Sequence, residues 1–265
     1  RTVIRIKRRF MRSALTQDII IYRKHRRIDF ETSVDWHENH ILLRVLFPTN
    51  LVTGRAVYEV QFGNAERPKH RNTSWDAAKF EVCAHKWMDL SEDGYGLSLL
   101  NDCKYGHSAL QGEIGLTLIK SATDPNPDAD QGEHVFTYSL FPHLGGWREA
   151  GTLWKAYDLN HPAPVRVLGE NPGGSLPPAC SFLRVEGENA VAETMKIAED
   201  GSGVIIRLYE AYGRRAGIRL KFCQAPRSAR LCDLMEREEA PADLRGNEVR
   251  LTARPYELIT LKVVF

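Results

Sequence analysis

Apolar and polar residues follow the two-residue period of β-strands along most of this chain. Ile41 to Phe47 (ILLRVLF), Ala56 to Phe62 (AVYEVQF), Ile114 to Ile119 (IGLTLI) and Val135 to Leu140 (VFTYSL) are short and rich in β-branched or aromatic residues. Val204 to Tyr209 (VIIRLY), Ile218 to Phe222 (IRLKF) and Leu258 to Phe265 (LITLKVVF) repeat the pattern. Turn residues punctuate these runs at Pro48-Thr49-Asn50, Thr53-Gly54, Gly63-Asn64, Glu92-Asp93-Gly94, Asp200-Gly201 and Gly246-Asn247. Helical patterning is confined to short stretches near Ser74 to Ala78 and Glu149 to Leu159. The pattern predicts an all-β chain of packed antiparallel sheets.

One boundary interrupts it. Gly169 to Pro178 (GENPGGSLPP) is too rich in glycine and proline to form a regular element. It predicts a larger body over 1–168, a linker over 169–178 and a smaller domain over 179–265.

Composition narrows the class. Hydrophobic residues at 43% and charged residues at 26% are ordinary for a soluble globular protein. No apolar run reaches the length of about 18 residues needed to span a bilayer, and no signal-peptide pattern is visible. The expectation is a cytoplasmic protein without a membrane partner. The five cysteines, Cys83, Cys103, Cys180, Cys223 and Cys232, are never spaced as CxxC. Reduced thiols therefore account for them better than a disulfide framework or a structural zinc site. Net charge is +2, yet residues 1 to 28 hold ten Lys or Arg against the single acid Asp18. Val3, Ile4 and Ile6, then Ile19 to Tyr22, give each basic cluster an apolar strand-like companion. No aromatic platform is interleaved with the charges, so solvated strand faces are expected here, without a nucleic-acid partner.

Three polar stretches invite chemistry. His37-Glu38-Asn39-His40 places its histidines three apart, whereas a zinc-protease helix needs four, and it runs straight into a strand. A turn is expected, with no metal. Asp124 to Gly132 has oxygen side chains at alternate positions but Ala129 and Val135 where a calcium loop needs Gly and Glu. A loop whose aspartates cap the backbone is expected there. Asp89 to His107 packs Asp89, Ser91, Glu92, Asp93, Tyr95, Asn101, Asp102, Lys104, Tyr105 and His107 around Gly94, Gly96 and Gly106. Asp, Asn and Lys supply donors and acceptors for vicinal sugar hydroxyls, and Tyr adds a flat surface. The competing reading is a core strand over Leu97 to Leu100 with Asp102 and Lys104 pairing at its end. His143, opening the turn after Phe141-Pro142, is a loop histidine of the kind that titrates near neutrality but more often holds a loop in place. Trp75, Trp87, Trp147 and Trp154 are expected to pack in a core or interface.

Phe80 to His107, FEVCAHKWMDLSEDGYGLSLLNDCKYGH, resembles the C-terminal region of glycoside hydrolase family 38 α-mannosidases of the cytosolic and bacterial branch. The HKWMDLSE and NDCKYG segments carry the resemblance, together with RRIDFETSVDWHENH (Arg26 to His40) and the closing ARPYELITLKVVF. The resemblance implies a galactose mutarotase-like β-supersandwich followed by a smaller C-terminal β-sandwich. It also implies that the zinc and the catalytic carboxylates lie in an upstream α/β domain, so this chain holds no catalytic residue and no cofactor of its own. The start at Arg1, not Met, fits a piece of something longer. The upstream catalytic domain and α-mannosides are the implied partners, with self-association a further expectation. In related enzymes an acidic turn of the D-x-R-G type lines the sugar pocket, and Asp93-Gly94-Tyr95-Gly96 corresponds to it, with Tyr95 in place of Arg. Tyr95 is therefore the first candidate for substrate binding, followed by Asn101, Lys104, Tyr105 and His143. Two rivals stand beside this reading: a sugar epimerase using His107 or His143 with a carboxylate, and a carbohydrate-binding or oligomerisation module.

Overall fold

A computed structural model describes residues 1–110, 112–170, 173–175, 177–187 and 189–265. Asn171, Pro172 and Leu176 of the expected linker thus lie outside the described residues. The chain divides into two compact units, 1–60 with 65–165 and 61–64 with 166–265.

The first unit is a two-layer sandwich. In chain order its strands are β1 (Thr2–Phe10), β2 (Ser13–Ile21), β3 (Ile28–Trp36), β4 (Leu43–Pro48), β5 (Arg55–Val60), β6 (Gly63–Pro68), β7 (Val82–Cys83), β8 (Trp87–Glu92), β9 (Tyr95–Asn101), β10 (Gly106–Leu110), β11 (Glu113–Ile119) and β12 (Gly132–Leu144). An eight-stranded sheet runs β1-β2-β3-β12-β9-β8-β5-β6, and a four-stranded sheet runs β4-β11-β10-β7. Val34, Trp36, Met88, Leu90, Leu99, Ile114, Leu116 and Phe136 form the core between them. The period-2 pattern explains the choice: in β8 Met88 and Leu90 face this core while Asp89 and Ser91 take the other face.

Helices cover part of that outer face. α1 (Ser74–Ala77) is capped by Thr73, whose Oγ1 accepts from the Asp76 amide. The helix expected over Glu149 to Leu159 is broken into α2 (Trp147–Ala150) and α3 (Thr152–Asn160). Gly151 divides them because its φ of +70° is left-handed, a conformation that costs glycine little and ends a helix. Trp87 and Trp147 pack with ring centroids 4.8 Å apart, while Trp75 is 81% exposed on α1, which buries no residue.

The second unit is a smaller sandwich of β13 (Leu183–Glu186), β14 (Ala190–Ile197), β15 (Val204–Glu210), β16 (Ala216–Phe222), β17 (Ser228–Cys232), β18 (Glu238–Pro241), β19 (Asp243–Arg245), β20 (Glu248–Ala253) and β21 (Leu258–Val264). Its sheets run β13-β16-β20-β19 and β14-β15-β21-β17-β18 around Ile206, Leu208, Leu220, Phe222, Val249 and Leu261. At the end of β15 the buried Glu210 carboxylate accepts from the amides of Tyr212, Gly213, Arg214 and Tyr256 and from Asn189 Nδ2. Five donors on one carboxylate fix the chain reversal, and the sequence pattern gave no sign of it.

The two metal-like stretches are structural. His37 pairs with Asp35 at 2.8 Å, and the buried Glu38 accepts from the Arg12 amide and Ser13 Oγ, fastening the β1–β2 turn. Asp130 Oδ2 accepts from the amides of Lys120 and Ser121, so this aspartate caps the backbone. Among the described residues no three His, Cys, Asp or Glu side chains converge where a metal ion could be held. These residues do not fit a zinc site, and no chemical step is assigned to zinc in this chain. No helix of the described residues is long and apolar enough to cross a membrane.

Candidate functional site

The β8–β9 hairpin carries the first candidate. Glu92 pairs with Tyr95 across a two-residue turn in which Gly94 takes φ +82°. Tyr95 stands at the tip, 42% exposed. The Gly145 amide donates to the Gly94 carbonyl at 2.9 Å, tying the turn after β12 to the hairpin tip.

Beneath the tip lies a buried polar network. The register pairs Asp89 with Ser98, Ser91 with Gly96, and Gly96 with His143, so all five residues share the outer face of the large sheet. Asp89 Oδ2 accepts from His143 Nε2 and Ser98 Oγ at 2.8 Å each, and Asp89 Oδ1 accepts from Ser91 Oγ. Ser98 Oγ also meets Thr152 Oγ1 of α3 at 2.7 Å, and His143 Nδ1 lies 3.2 Å from the Gly145 carbonyl. A Cβ on Gly96 would sit 2.2 Å from His143 Cε1 and 2.5 Å from Ser91 Oγ. Glycine is therefore required at position 96 for the imidazole to reach Asp89. The network resembles a Ser-His-Asp arrangement in composition only. Asp89, Ser98, Thr152 and His143 are all at most 2% exposed, which denies them a substrate.

The other candidates lie elsewhere. Six residues of extended strand separate Tyr95 from Asn101, about 20 Å at 3.4 Å per residue. Tyr95 and His143 thus occupy one end of β9, and Asn101, Lys104 and Tyr105 the other. At that far end a polar cavity of about 190 Å³ is lined by His85, Lys86, Asn101, Asp102, Cys103, Tyr105 and Asn160. Tyr105 is 58% exposed and packs edge-on against His85, while Lys104 Nζ rests 4.5 Å from the centre of the Phe136 ring.

Two of the expected sugar contacts are enclosed by the protein in this chain. Asn101 is 1% exposed, and its amide is committed to the protein. Its Nδ2 donates to the His85 carbonyl and faces His107 Nε2, and its Oδ1 accepts from the amides of Cys103 and Lys104. A carboxamide has two donors and two acceptor sites, so none is left for a hydroxyl. His143 is likewise enclosed, as a positioning group under the hairpin. The epimerase rival loses its acid/base candidates with them. His107 is fully buried, with Nδ1 donating to the Tyr105 carbonyl at 3.0 Å and Nε2 left to accept from Asn101. Burial, above the partly opposing hydrogen bond to Tyr105, pushes its pKa down to about 4. Sequence reasoning missed Ser98 and Thr152, because an isolated Ser in an apolar run carries no periodic signal of its hydrogen bonds.

Comparison with known proteins places this geometry in context. A model of the glycosyl hydrolases family 38 C-terminal domain matches residues 1–128. A model of the family 38 C-terminal beta sandwich domain matches residues 189–261. The chain is 42% identical over 259 residues to alpha-mannosidase 2C1 of Homo sapiens, covering 95% of this chain and 24% of that protein. It is 44% identical over 200 residues to alpha-mannosidase G of Dictyostelium discoideum, covering 76% of this chain and 18% of that protein. The crystal structure of a family 38 protein from Enterococcus faecalis shares the fold with a TM-score of 0.78 at 19% identity, covering 94% of this chain and 30% of that one. The chain thus spans about a quarter of the length of the human relative it matches.

Proposed function

Because the chain belongs to glycoside hydrolase family 38, whose C-terminal β domains it holds, we propose that it is the non-catalytic portion of a zinc-dependent, retaining exo-α-mannosidase. The observation that carries this reading is the 42% identity spread over 95% of the chain but only 24% of an α-mannosidase. A retaining glycosidase needs two carboxylates about 5 Å apart, one as nucleophile and one as acid/base. We assign both, and the zinc, to the upstream domain, which acts on terminal α-linked mannose. Five free thiols favour a reducing compartment, in keeping with a cytoplasmic enzyme.

The contribution of this chain to the sugar pocket would come from the hairpin tip. Tyr95 offers a hydroxyl and a ring face, Gly94 provides the turn, and the hydrogen bond from the Gly145 amide to the Gly94 carbonyl steadies the tip that carries it. Its role is to position a sugar; the Glu92 carboxylate paired across the turn is engaged by the Val52 amide.

The test is hydrolysis of an aryl α-mannoside, with zinc or cobalt present, by this chain alone and by the intact gene product. Turnover is expected only from the intact protein. Tyr95→Phe in that background should lower kcat/KM by roughly three- to tenfold, the value of one hydrogen bond of about 0.5–1.5 kcal/mol, while Tyr105→Phe at the far end leaves it unchanged. Turnover by the isolated chain would overturn the reading.

A further inference from the structure

The cavity of about 190 Å³ at the far end of β9 collects polar atoms that the fold leaves unspent. It is far larger than the roughly 10–15 Å³ that admits one water and smaller than the roughly 300 Å³ at which drug-sized pockets begin. One six-membered ring with its hydroxyls is the scale it fits.

Three side chains on its wall are held by bonds to the protein, and each keeps capacity to spare. Asn160 Nδ2 donates to the carbonyls of Asn101 and Ala156 at 3.0 and 2.9 Å. The amide therefore cannot turn over, and its Oδ1 remains an acceptor with no donor among the described residues. Lys86 Nζ donates to Oε1 of the buried Glu59 at 3.3 Å and stands 5.0 Å from the centre of the Tyr157 ring. An ammonium has three donors, so this one has more to give. Asp102 Oδ2 accepts from the Thr137 amide at 2.8 Å, which fixes a carboxylate with further acceptor sites. Beside them the rings of His85 and Tyr105 meet at 79° with centroids 5.2 Å apart, so that two flat faces form a corner.

Charge and hydrogen bonding together select the ligand class. An anion would meet Asp102, while the Lys86 cation is already matched by Glu59. An apolar ligand would leave a carboxylate, an amide oxygen and an ammonium without water or partner. A neutral ring bearing several hydroxyls avoids both costs, because each hydroxyl donates and accepts while the C–H face lies on an aromatic ring.

We propose that this cavity binds one pyranose unit, with Asn160 Oδ1, Asp102 and Lys86 Nζ taking its hydroxyls and the Tyr105 ring taking its C–H face. The site is built from this chain alone, so it stands or falls apart from the α-mannosidase reading.

Cys103, exposed at the same cavity, reports its occupancy. Burial, and then its hydrogen bond to Asp102, pushes the thiol up to about 11, so mildly alkaline conditions are needed for alkylation. The intact gene product is treated with N-ethylmaleimide in methyl α-D-mannopyranoside, in inorganic phosphate or in neither, and each cysteine is followed by mass spectrometry. At about 50 mM sugar and a Kd of about 10 mM, Cys103 should react about sixfold more slowly. The exposed Cys180 and Cys223 of the other unit should keep their rates, and phosphate should protect none of the three. Tyr105→Ala should abolish the protection, whereas Tyr105→Phe, which retains a ring, should preserve it. An unchanged Cys103 rate, equal protection by phosphate, equal protection of Cys180 and Cys223, or protection that survives Tyr105→Ala would each overturn the proposal. So would a Cys103 that never reacts, since a thiol closed to the reagent marks a cavity closed to a sugar. Aryl α-mannoside turnover by the same preparation separates the two readings. Turnover without protection sinks the pyranose site alone, and protection without turnover sinks the α-mannosidase reading alone.

Discussion

The His107 imidazole makes stability depend on pH in a window set by its burial. In the folded chain the ring is held neutral with a pKa of about 4, against 6.5 for an ordinary histidine. Arg67 and His85 add to the depression. Between those values the unfolded chain binds a proton that the folded chain refuses, so lowering the pH favours unfolding. The penalty is absent well above pH 6.5, grows as pH falls, and is complete below about pH 4. At 1.36 kcal/mol for each pH unit between the two values, it amounts to about 3 kcal/mol, a large share of a typical domain's 5–15 kcal/mol.

The assay is urea unfolding at a series of pH values from about 4.5 to 7.5, compared between the native chain and His107→Gln. Gln retains a donor and an acceptor but does not titrate, so the difference between the two curves isolates His107 from the other histidines and the carboxylates. The expected outcome is a native curve that falls more steeply with acid by up to about 3 kcal/mol, approached at the low end of the range. The absolute stability of the variant does not enter, because only the change with pH is compared. Parallel curves within about 0.5 kcal/mol would refute the burial argument, as would a direct titration placing the folded imidazole near 6.5.

Three further outcomes follow from the buried polar groups. Asp89→Ala leaves His143 Nε2 and the hydroxyls of Ser91 and Ser98 without their acceptor, and should cost about 3–5 kcal/mol in thermal unfolding; a loss below about 1 kcal/mol would show that the network relaxes freely. Gly96→Ala forces a methyl group into the His143 ring and should destabilise by about 1–3 kcal/mol, with the His143 resonance shifting by NMR as the ring is displaced; an unmoved resonance would refute the steric account. In the second unit Glu210→Gln turns one acceptor oxygen into a donor facing backbone amides. A loss of about 3–5 kcal/mol is expected in chemical denaturation, and an unchanged midpoint would contradict the five-donor geometry.

Legibility in the sequence divided along the range of the interactions involved. Strands whose burial alternates, such as β16, were visible because periodicity is a local property, and the Asp93-Gly94 turn was visible because a two-residue hairpin needs a left-handed glycine. The break at Gly151 was hidden inside a stretch of good helix formers. A glycine there signals a break only once tertiary packing directs the two helices apart. The candidate site shows the same limit more sharply. Composition together with the family resemblance drew Tyr95, Asn101, Lys104 and Tyr105 toward a single sugar pocket, with His143 added from a separate turn, since polar residues close in sequence suggest polar residues close in space. In β9 that inference inverts, because seven extended residues carry Tyr95 and Asn101 to opposite ends. Position 143 could be matched to Gly96 only through the β9–β12 register, which pairs residues 47 apart and which no local pattern encodes. The register then accounts for both glycine and histidine at once: the missing side chain at position 96 is the space that the imidazole occupies. An apparent catalytic histidine and an apparent flexible glycine are thus two halves of one packed contact.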